Sequence, residues 1–162
     1  MLKQSPVTLL AAHPISPGKY MTLVGGEVAD VDEALKAGIE KASDLLINQL
    51  FLPQVHPSVI PAISGNKAVG PHLSVGILET FSVASCVVAA DIAAKTARIE
   101  LVKIRLATGI GGKAYFVMCG ALSDVEASLE AASAHVRKEG LLTASELIQN
   151  PHPDLLTKGG CW

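Results

Sequence analysis

A glycine-rich loop ending in lysine is the segment whose residue types most readily suggest chemistry. Residues 108–112 contain three glycines and lead into Lys113, and loops of this composition bind nucleotide phosphates in P-loop proteins. A P-loop needs a glycine six residues before its lysine and a serine or threonine directly after it. Those two positions hold Ala107 and Ala114. We therefore expect no phosphate catalysis at this loop.

The five histidines and three cysteines are the other candidates for catalysis or metal binding. None of the cysteines has the spacing of a metal-binding motif, and no Ser-His-Asp order or paired carboxylate stands out. Cys86 and Cys119 lie in apolar runs, where a cysteine is usually a small buried hydrophobic residue. The sequence predicts neither an enzyme nor a metal site.

The chain repeats part of itself, and a repeat outweighs any local motif because missing it would change the whole fold. Residues 18–31 align with residues 112–125 at a constant offset of 94, so that Lys19 corresponds to Lys113. The offset is 92 where Lys3 meets Lys95 and 96 where His56 meets His152. The same elements therefore recur in the same order.

The repeat predicts a tandem α/β fold with the order strand, helix, strand, strand, helix, strand in each complete copy. We expect residues 1–64 to form the first repeat, residues 65–72 a linker, and residues 73–162 the complete second repeat. The first repeat lacks its first strand and most of its first helix. From this we expect a natural protein that begins further upstream.

Residue patterns also predict particular elements within the repeats. Alternating or buried apolar residues indicate strands at residues 7–12, 20–24 and 47–52 of the first repeat. Ser123 with Glu126 has the spacing of a capping box at the start of a helix, and Asp30 with Glu33 is comparable in the first repeat.

Composition excludes two classes of partner. With a net charge of −2, the chain has no surplus of basic side chains to bind phosphates, and with 4% aromatic residues it has few side chains to stack on bases. We therefore expect no nucleic acid partner. The longest apolar run, residues 81–90, is too short to span a bilayer. Since the mean hydropathy is high at +0.41, we expect a cytoplasmic protein that buries apolar surface against other subunits.

Several segments together form a recognisable pattern: Pro17-Gly18-Lys19, Val55–Gly65, Val75–Thr80, Gly109–Lys113 and Asn150-Pro151-His152-Pro153. Over nearly the whole chain this pattern resembles bacterial microcompartment shell proteins of the tandem-domain, trimer-forming type. It is most similar to the iron–sulfur-type shell protein of propanediol-utilisation compartments.

The resemblance implies a structural protein of the microcompartment shell. Three chains would form a pseudohexameric tile that meets other shell proteins edge to edge and passes small polar metabolites through a central pore. The implied pore-lining residues are Ile15, Ser16, Pro17, Gly18, Lys19, Thr108, Gly109, Ile110, Gly111 and Gly112. The implied tile-edge residues are Lys3, Lys95, Gln54, Asn150, His56 and His152.

Two departures from the resembled pattern affect function. Relatives that hold an iron–sulfur cluster have a cysteine where this chain has Ser16, so we expect no cluster and no other cofactor. The family's edge motif has an arginine where this chain has Gln54 and Asn150. The contacts between tile edges must therefore differ from those of the family. The alternative hypothesis is a regulatory α/β trimer that binds a small molecule between subunits.

Overall fold

The computed structural model describes residues 1–65, 74–152 and 154–155. The chain forms two compact units, unit 1 (residues 1–54) and unit 2 (residues 55–162). Residues 55–64, which the repeat assigns to the first copy, thus pack with the second unit. Apart from Gly65, the predicted linker lies outside the described residues.

Unit 2 contains the complete set of elements that the repeat predicts. Its elements are the short helix α2 (Val59–Ser64), β3 (Ser74–Thr80), α3 (Val83–Thr96), β4 (Ile99–Leu106), β5 (Ala114–Gly120), α4 (Leu122–Lys138) and β6 (Leu142–Ile148). The four strands form an antiparallel sheet in the order β4-β5-β3-β6. The predicted α/β fold and its element order are therefore confirmed.

Strand β3 lies inside the sheet, with β5 on one side and β6 on the other. Its residues are almost all buried, as expected for a strand with paired neighbours and a helix above it. Helix α4 packs mainly over β3 and β6, while α3 packs against α4 and over β4. Gly76 in β3 allows this close approach, because a Cβ there would lie 2.8 Å from Val125 Cγ1.

Unit 1 contains fewer elements: β1 (Thr8–Ile15), β2 (Lys19–Gly25), α1 (Val28–Ala42) and a 3-10 turn at Ser43–Leu45. Its sheet has two antiparallel strands. Both units share one irregularity, since the pairing register shifts between Leu9 and Ala11 and between Leu101 and Lys103. The repeat therefore extends to the position of a β-bulge.

The predicted strand at residues 47–52 is wrong, because these residues form no strand. Their counterpart in unit 2 is β6, whose sole neighbour in the sheet is β3. Among residues 1–54 no element corresponds to β3. A strand needs hydrogen bonds from a neighbour, so residues with strand-forming composition stay irregular without one.

Unit 1 leaves much of its apolar surface open. It holds eight of the ten exposed large hydrophobic side chains among the described residues, including Leu45 (85% exposed), Ile47 (66%) and Tyr20 (67%). A two-stranded sheet has too little surface to bury these side chains and is marginally stable by itself. This exposed apolar surface is the part of the chain that most needs to be buried by a binding partner.

The two predicted capping boxes are also wrong. Helix α1 follows Glu27 and α4 follows Ala121, and neither position makes a side-chain cap. Both helices start earlier than predicted, as shown by the hydrogen bond from the Val125 backbone N–H to the Ala121 carbonyl, 3.0 Å. Ser123 therefore lies inside the first turn. None of the helices in the described ranges is long and apolar enough to cross a membrane.

Replacing Gly76 with alanine tests the packing of β3 beneath α4. We expect Gly76→Ala to lower the free energy of unfolding by about 1–3 kcal/mol, because the added methyl group overlaps Val125 and Met118. Gly65→Ala is the matched control, since the one described atom that its Cβ would meet is the Pro61 carbonyl oxygen, at 3.4 Å. Equal stabilities of the two variants in urea unfolding would contradict this packing.

Thiol labelling tests the burial of the core. Cys86 and Cys119 are buried, and burial raises the pKa of the Cys86 thiol well above its usual range, against a smaller lowering by a hydrogen bond with Thr80. Since the thiolate is the reactive form, an alkylating reagent should modify neither residue in the folded protein at neutral pH and both in urea. Mass spectrometry measures the rate of labelling. If Cys86 is labelled equally fast in the folded protein and in urea, this core is not formed.

Candidate functional site

The loop between β1 and β2 is a three-residue turn of Ser16, Pro17 and Gly18. The Ser16–Pro17 peptide bond is cis, and Gly18 has a φ of 70°, a value that favours glycine. No atom of the described residues lies within 4 Å of a Cβ built on Gly18. Within the described residues the Ser16 hydroxyl makes no hydrogen bond. The tip of this loop is thus small, open and polar.

The loop between β4 and β5 is longer but has the same character. Gly109, Gly111 and Gly112 have φ values of 75°, 65° and 85°, so three of its residues adopt a conformation that side chains disfavour. A Cβ on Gly109 or Gly111 would have no atom within 4 Å in the ranges that the structure describes. The Arg105 guanidinium donates to the Thr108 carbonyl at 3.3 and 3.4 Å, which fixes the start of the loop.

Lysines at equivalent positions end the two loops, but their surroundings differ. Lys113 Nζ lies 3.2 Å from Glu79 Oε2 at the end of β3, and 5.7 Å from the centre of the Phe81 ring. Lys19 makes no ion pair within the described residues. Glu79 belongs to β3, which has no counterpart in residues 1–54, so the acid that neutralises Lys113 is missing beside Lys19.

The predicted edge residues Lys95 and His56 are brought together by a residue that the sequence did not single out. The Asp91 carboxylate accepts a hydrogen bond from Lys95 Nζ at 2.6 Å and one from the His56 backbone N–H at 2.7 Å. We call these three residues the edge cluster. Lys3, the counterpart of Lys95, is exposed and forms no such pair within the described residues.

The His-Pro turns repeat at the level of single hydrogen bonds. Gln54 and Asn150, each two residues before a histidine, have positive φ values of 55° and 46°. The ring Nδ1 of His56 accepts from the Ser58 backbone N–H at 3.3 Å, and that of His152 accepts from the Asp154 backbone N–H at 3.2 Å. Both histidines therefore hold a turn in place by capping it.

Two important side chains, Glu79 and Asp91, were not identified from the sequence. Asp91 had a usable signal, because it is an acidic residue inside an apolar helix and lies four residues before Lys95, the spacing of a helical ion pair. Glu79 had none, since 34 residues separate it from Lys113. The described residues hold no cluster of His, Cys, Asp and Glu that fits a metal ion.

Comparison with known proteins agrees with this architecture. The BMC domain family matches residues 1–55 and 74–151. The bacterial microcompartment shell protein PduT of Citrobacter freundii is 43% identical over 155 residues, which cover 96% of this chain and 84% of PduT. The carboxysome assembly protein CcmO of Synechocystis sp. is 29% identical, and this chain spans only 56% of its length.

A solved structure shows the same fold. The microcompartments protein from Desulfitobacterium hafniense superposes with a TM-score of 0.90 and 42% sequence identity, over 95% of this chain and 86% of that protein. Family match, sequence relative and structure all point to a shell component and not to an enzyme. The chain belongs to the BMC domain family and is a bacterial microcompartment shell protein.

Proposed function

We propose that three copies of this chain form a pseudohexameric tile of the microcompartment facet, with a central pore for small polar metabolites. The observation that carries this proposal is the repetition of one element in both units: bulged strand, short open loop, strand and helix. Two such elements in each chain give six in a trimer. Closed rings are a common way for identical chains to satisfy their interfaces.

The open apolar surface of unit 1 supports assembly. Leu45, Leu46, Ile47 and Phe51 are all exposed in the single chain, and contiguous apolar surface of this kind marks an interaction site in a soluble protein. Proteins of this family assemble with other shell proteins. We infer that neighbouring copies cover these four apolar side chains within the trimer.

The two loops supply the proposed pore lining, residues 15–19 and 108–112. Their glycines leave the tips free of side-chain bulk. The Ser16 hydroxyl, which makes no hydrogen bond among the described residues, and the backbone groups of the loops offer hydrogen bonds to a passing polar molecule. Of the two lysines that follow the loops, Lys113 is neutralised by Glu79, whereas Lys19 has no ion pair in the part of the chain that the structure describes. The first loop is therefore the more cationic part of the proposed pore.

We propose that this pore holds no iron–sulfur cluster. The position before Pro17-Gly18-Lys19 carries the hydroxyl of Ser16, and a neutral hydroxyl is a poor ligand for iron–sulfur iron compared with a thiolate. Cys86 and Cys119 are buried in the core of unit 2, where they offer no thiolate to a loop tip. Transport of polar metabolites then becomes the function of the pore.

The oligomeric state tests the tile directly. Size exclusion with light scattering should give about three times the chain mass of 16.8 kDa. Ile47→Asp should shift the population towards monomer, because it places a charge in apolar surface that the trimer buries. Ala127→Asp, on the exposed side of α4, is the matched control and should leave the trimer unchanged. A monomeric unaltered chain at micromolar concentration would contradict the tile.

Reconstitution with iron and sulfide under anaerobic conditions tests the role of Ser16. The unaltered chain should bind no cluster, whereas Ser16→Cys should take up iron and gain broad visible absorption, because three symmetry-related thiolates would then meet at the pore. Ser16→Ala is the matched control and should stay colourless. If Ser16→Cys trimers bind no iron, Ser16 does not line the pore; a cluster in the unaltered chain would show that the hydroxyl or another residue is a ligand.

A further inference from the structure

Lys113 directly follows the loop of residues 108–112 and lies against the end of β3. In the register of β3 and β5, Glu79 is opposite Tyr115, so Lys113 is the diagonal neighbour of Glu79 on the same face of the sheet. Long side chains at such positions are within reach of each other, and Lys113 Nζ lies 3.2 Å from Glu79 Oε2. The strand register therefore determines which acid meets the lysine of this loop.

Phe81 gives the Lys113 ammonium group a second contact. Nζ lies over the Phe81 ring, 5.7 Å from its centre, where a cation is attracted to the face of an aromatic ring. The Phe81 backbone N–H donates to the Leu141 carbonyl at 2.9 Å, which fixes the residue that carries the ring. The acid and the ring together hold the ammonium group at the end of β3.

The backbone around Lys113 has anchors of its own. Thr80 Oγ1 donates to the Ala114 carbonyl at 3.4 Å, and the Lys113 backbone N–H donates to the Ile110 carbonyl at 3.2 Å. Neither hydrogen bond uses the carboxylate of Glu79. We therefore expect a substitution of the Glu79 side chain to change the charge beside the loop more than the shape of the loop.

The charges of the loop lysines matter because a pore must release what it binds. Conduction requires binding that is strong enough for entry and weak enough for exit. Two loop lysines in each of three chains would give a pore six ammonium groups. Lys19 has no ion pair among the described residues, whereas Lys113 has Glu79. Pairing with Glu79 would therefore leave three of the six ammonium groups available to an anion.

We propose that Glu79 is a positioning residue that limits the anion affinity of the pore by holding Lys113. The proposal rests on the tile proposed above, and it names small anions such as carboxylates and phosphates as the molecules that the loop lysines bind. Glu79 acts through Lys113 and not by touching the anion. Since the Lys113 side chain is 37% exposed, its ammonium group becomes available to an anion when Glu79 loses its charge.

The first measurement compares the acylation rate of Lys113 in the unaltered chain and in Glu79→Gln, at limiting reagent, with modified peptides quantified by mass spectrometry. We expect Lys113 to react about twofold to fivefold faster in Glu79→Gln, the range set by a partly exposed ion pair. Glu146→Gln is the matched control, because it changes the net charge equally on the adjacent strand β6, where Glu146 pairs in register with Ile77. Equal rates in the unaltered chain and in Glu79→Gln would overturn the proposal.

The second measurement is the affinity of the trimer for pyrophosphate, determined by calorimetry at low ionic strength, where charges are screened least. Glu79→Gln should bind about threefold to tenfold more tightly, because three further lysines are available, whereas Glu146→Gln should bind like the unaltered chain. In a Lys113→Gln background, Glu79→Gln should cause no gain. A gain of equal size in both backgrounds would show that Glu79 does not act through Lys113.

The outcomes separate this inference from the tile itself. Trimers whose affinity for pyrophosphate is the same in the unaltered chain and in Glu79→Gln would overturn the role of Glu79 and leave the tile intact. An unaltered chain that light scattering shows to be monomeric would overturn the tile, and the role of Glu79 with it.

Discussion

The backbone hydrogen bonds of β3 are the interaction on which the rest of unit 2 depends. This strand pairs with β5 on one side and β6 on the other, and α4 packs across it. It carries Glu79 at its end and leads into α3, which carries Asp91. One central strand therefore joins the sheet, the helical layer and the two acids that bind Lys113 and Lys95.

Unit 1 shows what its residues form without such a strand. Residues 47–52 match the position of β6 but are irregular, and α1 makes only sparse contacts with β1 and β2. Hydrogen bonds from Gln4 to Glu33 and from Ser5 to the Asp30 carbonyl hold the first residues along α1 instead. The apolar side chains of unit 1 are exposed for the same reason, the lack of a strand equivalent to β3. Unit 1 therefore needs a binding partner more than unit 2 does.

Much of this architecture was predictable from the repeat. Where backbone conformation is encoded locally, equivalent positions of the two copies agree: Gly18 and Gly112 both have a positive φ, and so do Gln54 and Asn150. The strand at residues 47–52 failed because strand formation depends on a distant partner and not on composition alone. Glu79 was missed for a related reason, since its contact with Lys113 crosses 34 residues. The contact of Asp91 with His56 crosses 35 residues, but its spacing of four residues from Lys95 was a local signal that could have been used.

The elements that the two copies share therefore have the same backbone arrangement but differ in the charges beside their lysines. Lys113 and Lys95 each have an acid within hydrogen-bonding distance, whereas their counterparts Lys19 and Lys3 have no ion pair within the described residues. Both acids lie in the β3–α3 segment, so a single structural difference accounts for both changes.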